Sequence, residues 1–226
     1  MSQATQLPAP ALTAGLASAT GQRLDDGLAR LGIDASEHQR RRLLGLLALL
    51  HKWNRAYNLT AVRDVDEMVS RHLLDSAAVV PFIRPGALLD VGAGPGLPGL
   101  VLAILVPDLD VTLLDSNGKK VRFQRQAIME LGLDNVTATQ ARVQAFDAGG
   151  LDQVISRAFA SLADFVSLTR RLPKAGGEWL AMKGPGAADE LKDLPAGVAL
   201  KQRRRLEVPF ADAERQLLIL TPEGGE

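Results

Sequence analysis

The chain contains no cysteine among its 226 residues, which removes disulfides, thiolate metal sites, iron–sulfur clusters and cysteine nucleophiles together. A reducing compartment is compatible with that composition. Aromatic residues make up only 4% of the sequence, with a single tyrosine, so there are few rings for a stacking platform of the RNA-recognition type. An excess of either charge is also absent. The 26 Lys and Arg balance 26 Asp and Glu, and any affinity for nucleic acid must come from how the cations are distributed. No apolar run reaches the roughly 18 residues of a membrane span, and the longest candidate, LLGLLALLHKW, is broken by His51 and Lys52. The opening stretch, rich in Ala, Thr and Pro, lacks the basic start and continuous apolar centre of a secretory signal. Residues 1–22 therefore read as a disordered tail, and the protein as cytoplasmic with no membrane partner.

What is present suffices for one sizeable core, since 46% of the residues are hydrophobic. From Leu24 the spacing is helical: Leu24, Leu28 and Leu31 share a face, and Ser36 with Gln39 forms a capping box before Leu43, Leu46, Leu47, Leu50 and Trp53. Asp64 and Glu67 mark a second helix start, followed by Met68, Val69, His72, Leu73 and Val79 on a period near 3.6 until Pro81 and Pro85 stop it. Residues 23–84 are thus expected to form an N-terminal helical segment.

After Gly86 the rhythm changes to short apolar runs alternating with amphipathic stretches, the pattern of a βαβ sheet over residues 85–226. Strands are expected at 87–91, 111–115, 136–139, 154–156 and 178–182, with helices at 99–106, 117–131 and 162–172. Two further strands, 198–208 and 215–221, can close the sheet as an antiparallel pair.

The stretch LLDVGAGPGLPG, Leu88 to Gly99, joins a strand to a helix through Gly92, Gly94 and Gly96. Bare backbone there lets a ligand approach the carboxyl edge of the sheet beside Asp90. The third glycine of a dinucleotide fingerprint would fall on Leu97, which weakens a nicotinamide or flavin reading, and no Gly-Lys-Ser/Thr follows to make a P-loop. The next strand ends in Asp115, at the separation where a carboxylate reaches a ribose diol. Turn and acid together resemble an α/β, Rossmann-like S-adenosylmethionine-dependent methyltransferase.

The remaining blocks narrow the resemblance. HKWNRAYNLTAVRD, RHLLDS, DVGAGPGLPG, LLDSNGKKVRF, VISRAFASL, AMKG and ERQLLIL occur in one order between Leu24 and Leu220, and in this the chain resembles the RsmG (GidB) family of 16S ribosomal RNA guanine-N7 methyltransferases. The resemblance implies a seven-strand sheet with an N-terminal helical segment and S-adenosylmethionine as cofactor, released as S-adenosylhomocysteine. It implies that the substrate is guanine 527 of 16S ribosomal RNA, as RNA or as the small ribosomal subunit particle. It also places Gly92, Leu97, Val143, Gln144 and Arg157 at the cofactor. With Asp90, Gly94, Gly96 and Asp115 these complete the expected cofactor set.

Methyl transfer from a sulfonium needs alignment and exclusion of water more than a metal, so no metal site is expected. The motif that serves exocyclic amines is replaced by SRAF, and the cysteine that a covalent cytosine route needs is missing. Guanine N7 offers a lone pair and needs no base. No residue is therefore assigned as catalyst: His72 reads as a hydrogen-bonded packing residue and Asp75 as a local structural partner. For RNA, Lys119 and Arg122 are neighbours at i,i+3, and Lys183 ends a strand at the same edge, where it can meet phosphate or cap the turn before Gly184. Further clusters lie at Arg40–Arg42, Lys52 with Arg55, and Arg203–Arg205. An assembly factor without turnover is the alternative of a different class. A nucleotide-dependent oxidoreductase is the enzymatic one.

Overall fold

The computed structural model describes Thr13, residues 16–157 and residues 159–223. Seven strands, β1 (Gly86–Val91), β2 (Leu109–Asp115), β3 (Val136–Gln140), β4 (Leu151–Ser156), β5 (Pro173–Lys183), β6 (Val198–Leu206) and β7 (Arg215–Pro222), form one sheet in the order β3-β2-β1-β4-β5-β7-β6. The first five run parallel, and β7 lies antiparallel between β5 and β6. The strand order reverses direction at β1, with β2 on one side and β4 on the other. Such a reversal opens a crevice at the carboxyl ends of the strands.

Both faces of the sheet are covered, so the central strands read as continuous apolar runs rather than alternating ones. Leu88, Leu113, Leu180 and Leu217 face one core, and their neighbours Leu89, Leu114, Trp179 and Leu218 face the other. The first core is closed by α1 (Ser18–Arg30), α2 (Glu37–Tyr57), the segment after it, α5 (Gly99–Leu105) and α6 (Gly118–Leu131). The second is closed by α7 (Leu162–Thr169), whose Phe165 and Val166 are fully buried. The helical segment that precedes β1 thus shares a core with the sheet. Because α1 begins at Ser18, the last residues read as tail are helical. Residues 1–12 and 14–15 of that expected tail lie outside the described residues.

The capping box is present: Ser36 Oγ accepts from Gln39 N, and Gln39 Oε1 accepts from Ser36 N. The amide of Gln39 also donates to Ile104 and Leu105 carbonyls at the end of α5, 3.0 and 3.1 Å away. Arg42 does the same for α6, donating to Leu131 O and Gly132 O. The orphan carbonyls of two helix ends are thereby satisfied from one helix start. Trp53 stacks on Tyr57 and meets Phe123 of α6 edge-on, so these rings pack helix against helix.

The 3.6-residue rhythm after Asp64 predicts one uninterrupted helix. The structure instead divides it into α3 (Val65–Met68), a π-helical turn (Val69–Leu74) and α4 (Asp75–Ala77). Asp64 caps it as expected, accepting from Glu67 N at 2.9 Å. The wider turn admits an extra residue and turns the side chains that follow it. Asp75 is buried as a result of this placement and faces the sheet edge.

Candidate active site

At the carboxyl edge the glycine stretch is held by backbone and carboxylate alike. Gly92 N and Ala93 N both donate to Leu114 O, at 2.8 and 3.1 Å. Asp115 accepts from Gly94 N through one oxygen and from Asn117 N through the other, each at 2.8 Å. Gln124 donates to Gly94 O from within α6. Strand end, glycine turn and helix start are therefore one hydrogen-bonded unit.

A cavity of about 310 Å³ opens on this unit, lined by Gly92, Asp115, Ser116, Val143, Gln144 and Phe159 among others. Gly92 has φ +68 and open space where a side chain would begin, so its backbone is the floor on that side. Gly96 behaves differently. A side chain there would strike Leu100 at 2.4 Å, and Leu97 is buried among core residues. The structure brings Gly92, Asp115, Val143 and Gln144 together around one space, and sets Gly96 and Leu97 behind it.

The wall beyond β3 is the 3-10 turn Val143–Ala145. Arg171, which the sequence did not single out, donates to the carbonyls of Val143, Gln144 and Phe146 at 3.2, 3.2 and 2.6 Å. It is a positioning residue for that wall. Asp90, at the end of β1, is fully buried; one oxygen accepts from Gly99 N at 2.8 Å. The other has no partner among the described residues. Burial pushes its carboxyl up to about 7, opposed by the Gly99 hydrogen bond and by Arg157.

A second cavity, about 400 Å³, lies at the same edge beyond β4, β5 and β7. Its cations are Arg71, Arg157, Lys183 and Arg215, and Asp75 is the one carboxylate in its lining. Asp75 accepts from Arg157 at 3.1 Å and from Arg215 at 3.0 Å, tying α4 to the ends of β4 and β7. Asp75 is therefore more than the local partner expected of it: its ligands lie 82 and 140 residues away. Arg215 carries no local signal in ERQLLIL, where it stands between Glu214 and Gln216 at the start of an apolar run. Lys183 donates to Glu190 at 2.8 Å and to Phe159 O at 3.1 Å.

His72 is buried beside this cavity. Its Nδ1 faces Arg71 O at 3.0 Å, so that nitrogen carries the proton and Nε2 accepts from the Thr60 hydroxyl at 2.8 Å. Burial, with the Arg157 charge, lowers its pKa to about 4. It is neutral and hydrogen-bonded on both sides, the packing role its sequence context suggests.

The two cavities adjoin along the segment after β4: Arg157 faces the second, and Phe159 the first. Lys119 and Arg122 are exposed at the start of α6, beside the first. The cluster Arg40–Arg42 is occupied internally, Arg40 with Asp25, Arg41 with Glu37 and Arg42 with the α6 carbonyls.

A doubly wound sheet with an antiparallel last strand, a glycine turn after β1 and an acid closing β2 defines a Rossmann-like S-adenosylmethionine-dependent methyltransferase. Solved structures show the same fold at low identity. TrmN from Thermus thermophilus superposes with TM-score 0.54 at 21% identity over 75% of this chain and 53% of that one. Aeropyrum pernix fibrillarin, determined with bound S-adenosyl-L-methionine, gives TM-score 0.53 at 13% identity over 66% of this chain and 74% of that one. The chain belongs to the GidB family, rRNA small subunit methyltransferase G, whose model matches residues 39–219. The ribosomal RNA small subunit methyltransferase G of Chromohalobacter salexigens is 66% identical over 88% of this chain and 95% of its own length. That of Pseudomonas fluorescens is 52% identical over 92% and 98%.

The first cavity fits the cofactor of this class on its own chemistry. It offers the Asp115 carboxylate and a bare backbone at Gly92; Asp90, buried behind the turn and outside the lining, keeps one oxygen without a partner among the described residues.

Proposed function

We propose that the protein transfers a methyl group from S-adenosylmethionine to N7 of guanine 527 in 16S ribosomal RNA of the small ribosomal subunit, acting in the cytoplasm. What supports this reading is membership of the rRNA small subunit methyltransferase G family together with a cavity at Gly92 and Asp115 beside an arginine-rich one, and the guanine atom and position follow the family resemblance.

S-adenosylmethionine supplies an activated methyl on a sulfonium. Asp115 holds the ribose hydroxyls, Gly92 admits the cofactor along its backbone, and Val143 and Gln144 face the adenine. Asp90 and Arg157 flank the amino-acid end. Gly94 holds Asp115 in place, while Gly96 and Leu97 shape the turn from behind. In the second cavity Arg157, Lys183 and Arg215 hold the nucleotide, and Lys119 with Arg122 meets phosphate beside the first.

Chemistry at N7 matches these residues. N7 attacks through a lone pair in the plane of the base, so no group has to remove a proton. His72, neutral and committed to Thr60, is not required to act. Transfer turns the guanine into a cation as the sulfur becomes neutral. Asp75 offsets part of the Arg157 and Arg215 charge that the developing cation would otherwise meet.

Incubation of the purified protein with methyl-labelled S-adenosylmethionine and undermethylated small-subunit particles tests the proposal. One labelled N7-methylguanosine at position 527 is expected by mass spectrometry of the digested RNA. Label at another atom or position overturns the assignment, and binding of cofactor with no label at all favours a protein that assembles rather than modifies.

A further inference from the structure

Strand β6 is one of the two edges of the sheet, hydrogen-bonded among the described residues to β7 alone. It is antiparallel to β7, which is antiparallel to β5, so β6 runs parallel to β5 and its last residues reach the edge that carries both cavities. Those residues are Arg203, Arg204 and Arg205, all exposed. Gln216 pairs with Lys183 on one side and Arg205 on the other, which puts Arg205 two strand spacings, about 10 Å, from the Lys183 position.

Their partners distinguish these arginines from the Arg40–Arg42 cluster. Arg203 donates to the neutral amide of Gln216 at 2.7 Å and Arg204 to that of Gln202 at 3.4 Å. Arg205 has no side-chain partner among the described residues. Glu207, Asp212 and Glu214 border a shallow cleft with Arg205, yet among the described residues no carboxylate lies within ion-pair distance of any of the three. By contrast, Arg40 and Arg41 are spent on Asp25 and Glu37. Side chains alternate along the strand, so Arg203 and Arg205 project from one face and Arg204 from the other. The edge is flanked by guanidinium on both sides, a geometry suited to a chain of phosphates passing along it and not to a flat ligand.

We infer that the β6 edge is a second ribosomal RNA contact, gripping the sugar-phosphate backbone of nucleotides that flank the target while the base occupies the cavity at Arg215. This rests on the proposed substrate and adds where the rest of the RNA runs. Charge on an exposed edge strand also guards against strand-to-strand pairing, so the test must separate the two roles.

Binding of the full-length protein to undermethylated small-subunit particles is measured against potassium chloride concentration, for wild type and for R203Q/R204Q/R205Q. Each phosphate contact contributes roughly 0.7 to the slope of log K against log salt on single-stranded RNA. Loss of three contacts is therefore expected to lower the slope by about 2, with cofactor affinity unchanged by calorimetry. R203E/R204E/R205E keeps the edge charged and protected from pairing; it is expected to weaken particle binding further. An unchanged slope in both variants overturns the inference, as does weakened binding traced to self-association of the glutamine variant while the glutamate variant binds normally. Failure of the wild type to methylate particles at all would instead strike at the proposed function, and the two failures are distinguishable.

Discussion

The donor-side cavity and its arginine-lined neighbour share an edge, but they are made of different material. The first is built mainly from main chain: glycine φ angles, amide groups held by Asp115, and a 3-10 turn whose carbonyls Arg171 gathers. The second is built from charged side chains delivered by α4, β5, β7 and the end of β4, with Asp75 at their meeting point. Backbone geometry recognises what every cofactor molecule has in common. A side-chain cluster can be tuned to one substrate.

Substitutions can break this contrast. The largest effect is expected at the main-chain site: Gly92→Val closes the floor, and Asp115→Ala removes charged acceptors worth about 3 kcal/mol, on the order of 100-fold in cofactor Kd. Calorimetric titration measures both, and undiminished affinity in Asp115→Ala would remove the ribose role. Next is Asp75→Ala, which leaves two arginines without their counter-charge. The full penalty of breaking a buried pair is discounted because Arg157 and Arg215 are about a quarter exposed, giving a loss of about 2 kcal/mol by denaturant titration. KM for particles should rise more than the cofactor Kd. An equal rise in both would merge the two cavities into one functional unit.

The pH dependence separates the cavities again. Between about pH 4 and 7 the folded protein keeps a proton on Asp90 that the unfolded chain has released, so this group makes stability fall as pH rises. His72 acts in the opposite sense. Between about pH 4 and 6.5 the unfolded chain holds a proton that the folded state lacks, and stability rises with pH. Each can contribute a slope of up to about 1.4 kcal/mol per pH unit. Asp90→Asn should therefore steepen the rise of thermal stability over this window, and His72→Gln should steepen the fall. Parallel curves for all three proteins would show that neither group titrates as described. The smallest effect is expected for Lys119→Glu with Arg122→Glu, about 1 kcal/mol or fivefold in KM for particles at physiological salt, with cofactor affinity intact. Unchanged activity would place the phosphate contacts elsewhere.

How far the sequence reveals these regions follows from the range of their contacts. The central strands were legible because they are buried on both faces, and the edge strands β3 and β6, largely exposed, because turn residues bound them. Gly92 and Asp115 were legible because turn and acid lie within one βαβ unit. Asp75 and Arg215 were not, since their pairing spans 140 residues and neither carries a local signal. The π-helical turn was hidden for a different reason: its apolar residues keep near-helical spacing, and the extra residue appears only in the bonding pattern. The cationic run Arg40–Arg42 looks like a nucleic-acid face until Asp25, Glu37 and the end of α6 are found beside it.

That long reach between Asp75 and Arg215 has a consequence during synthesis. Every residue named for the donor side, apart from Arg157, Phe159 and Arg171, has left the peptidyl-transferase centre once Phe146 is made. The arginine cluster cannot close until β7 emerges, about 70 residues later, which at 5–20 residues per second is roughly 4–14 s. The strands and helix that hold the glycine turn are thus complete well before the arginine cluster has its last member.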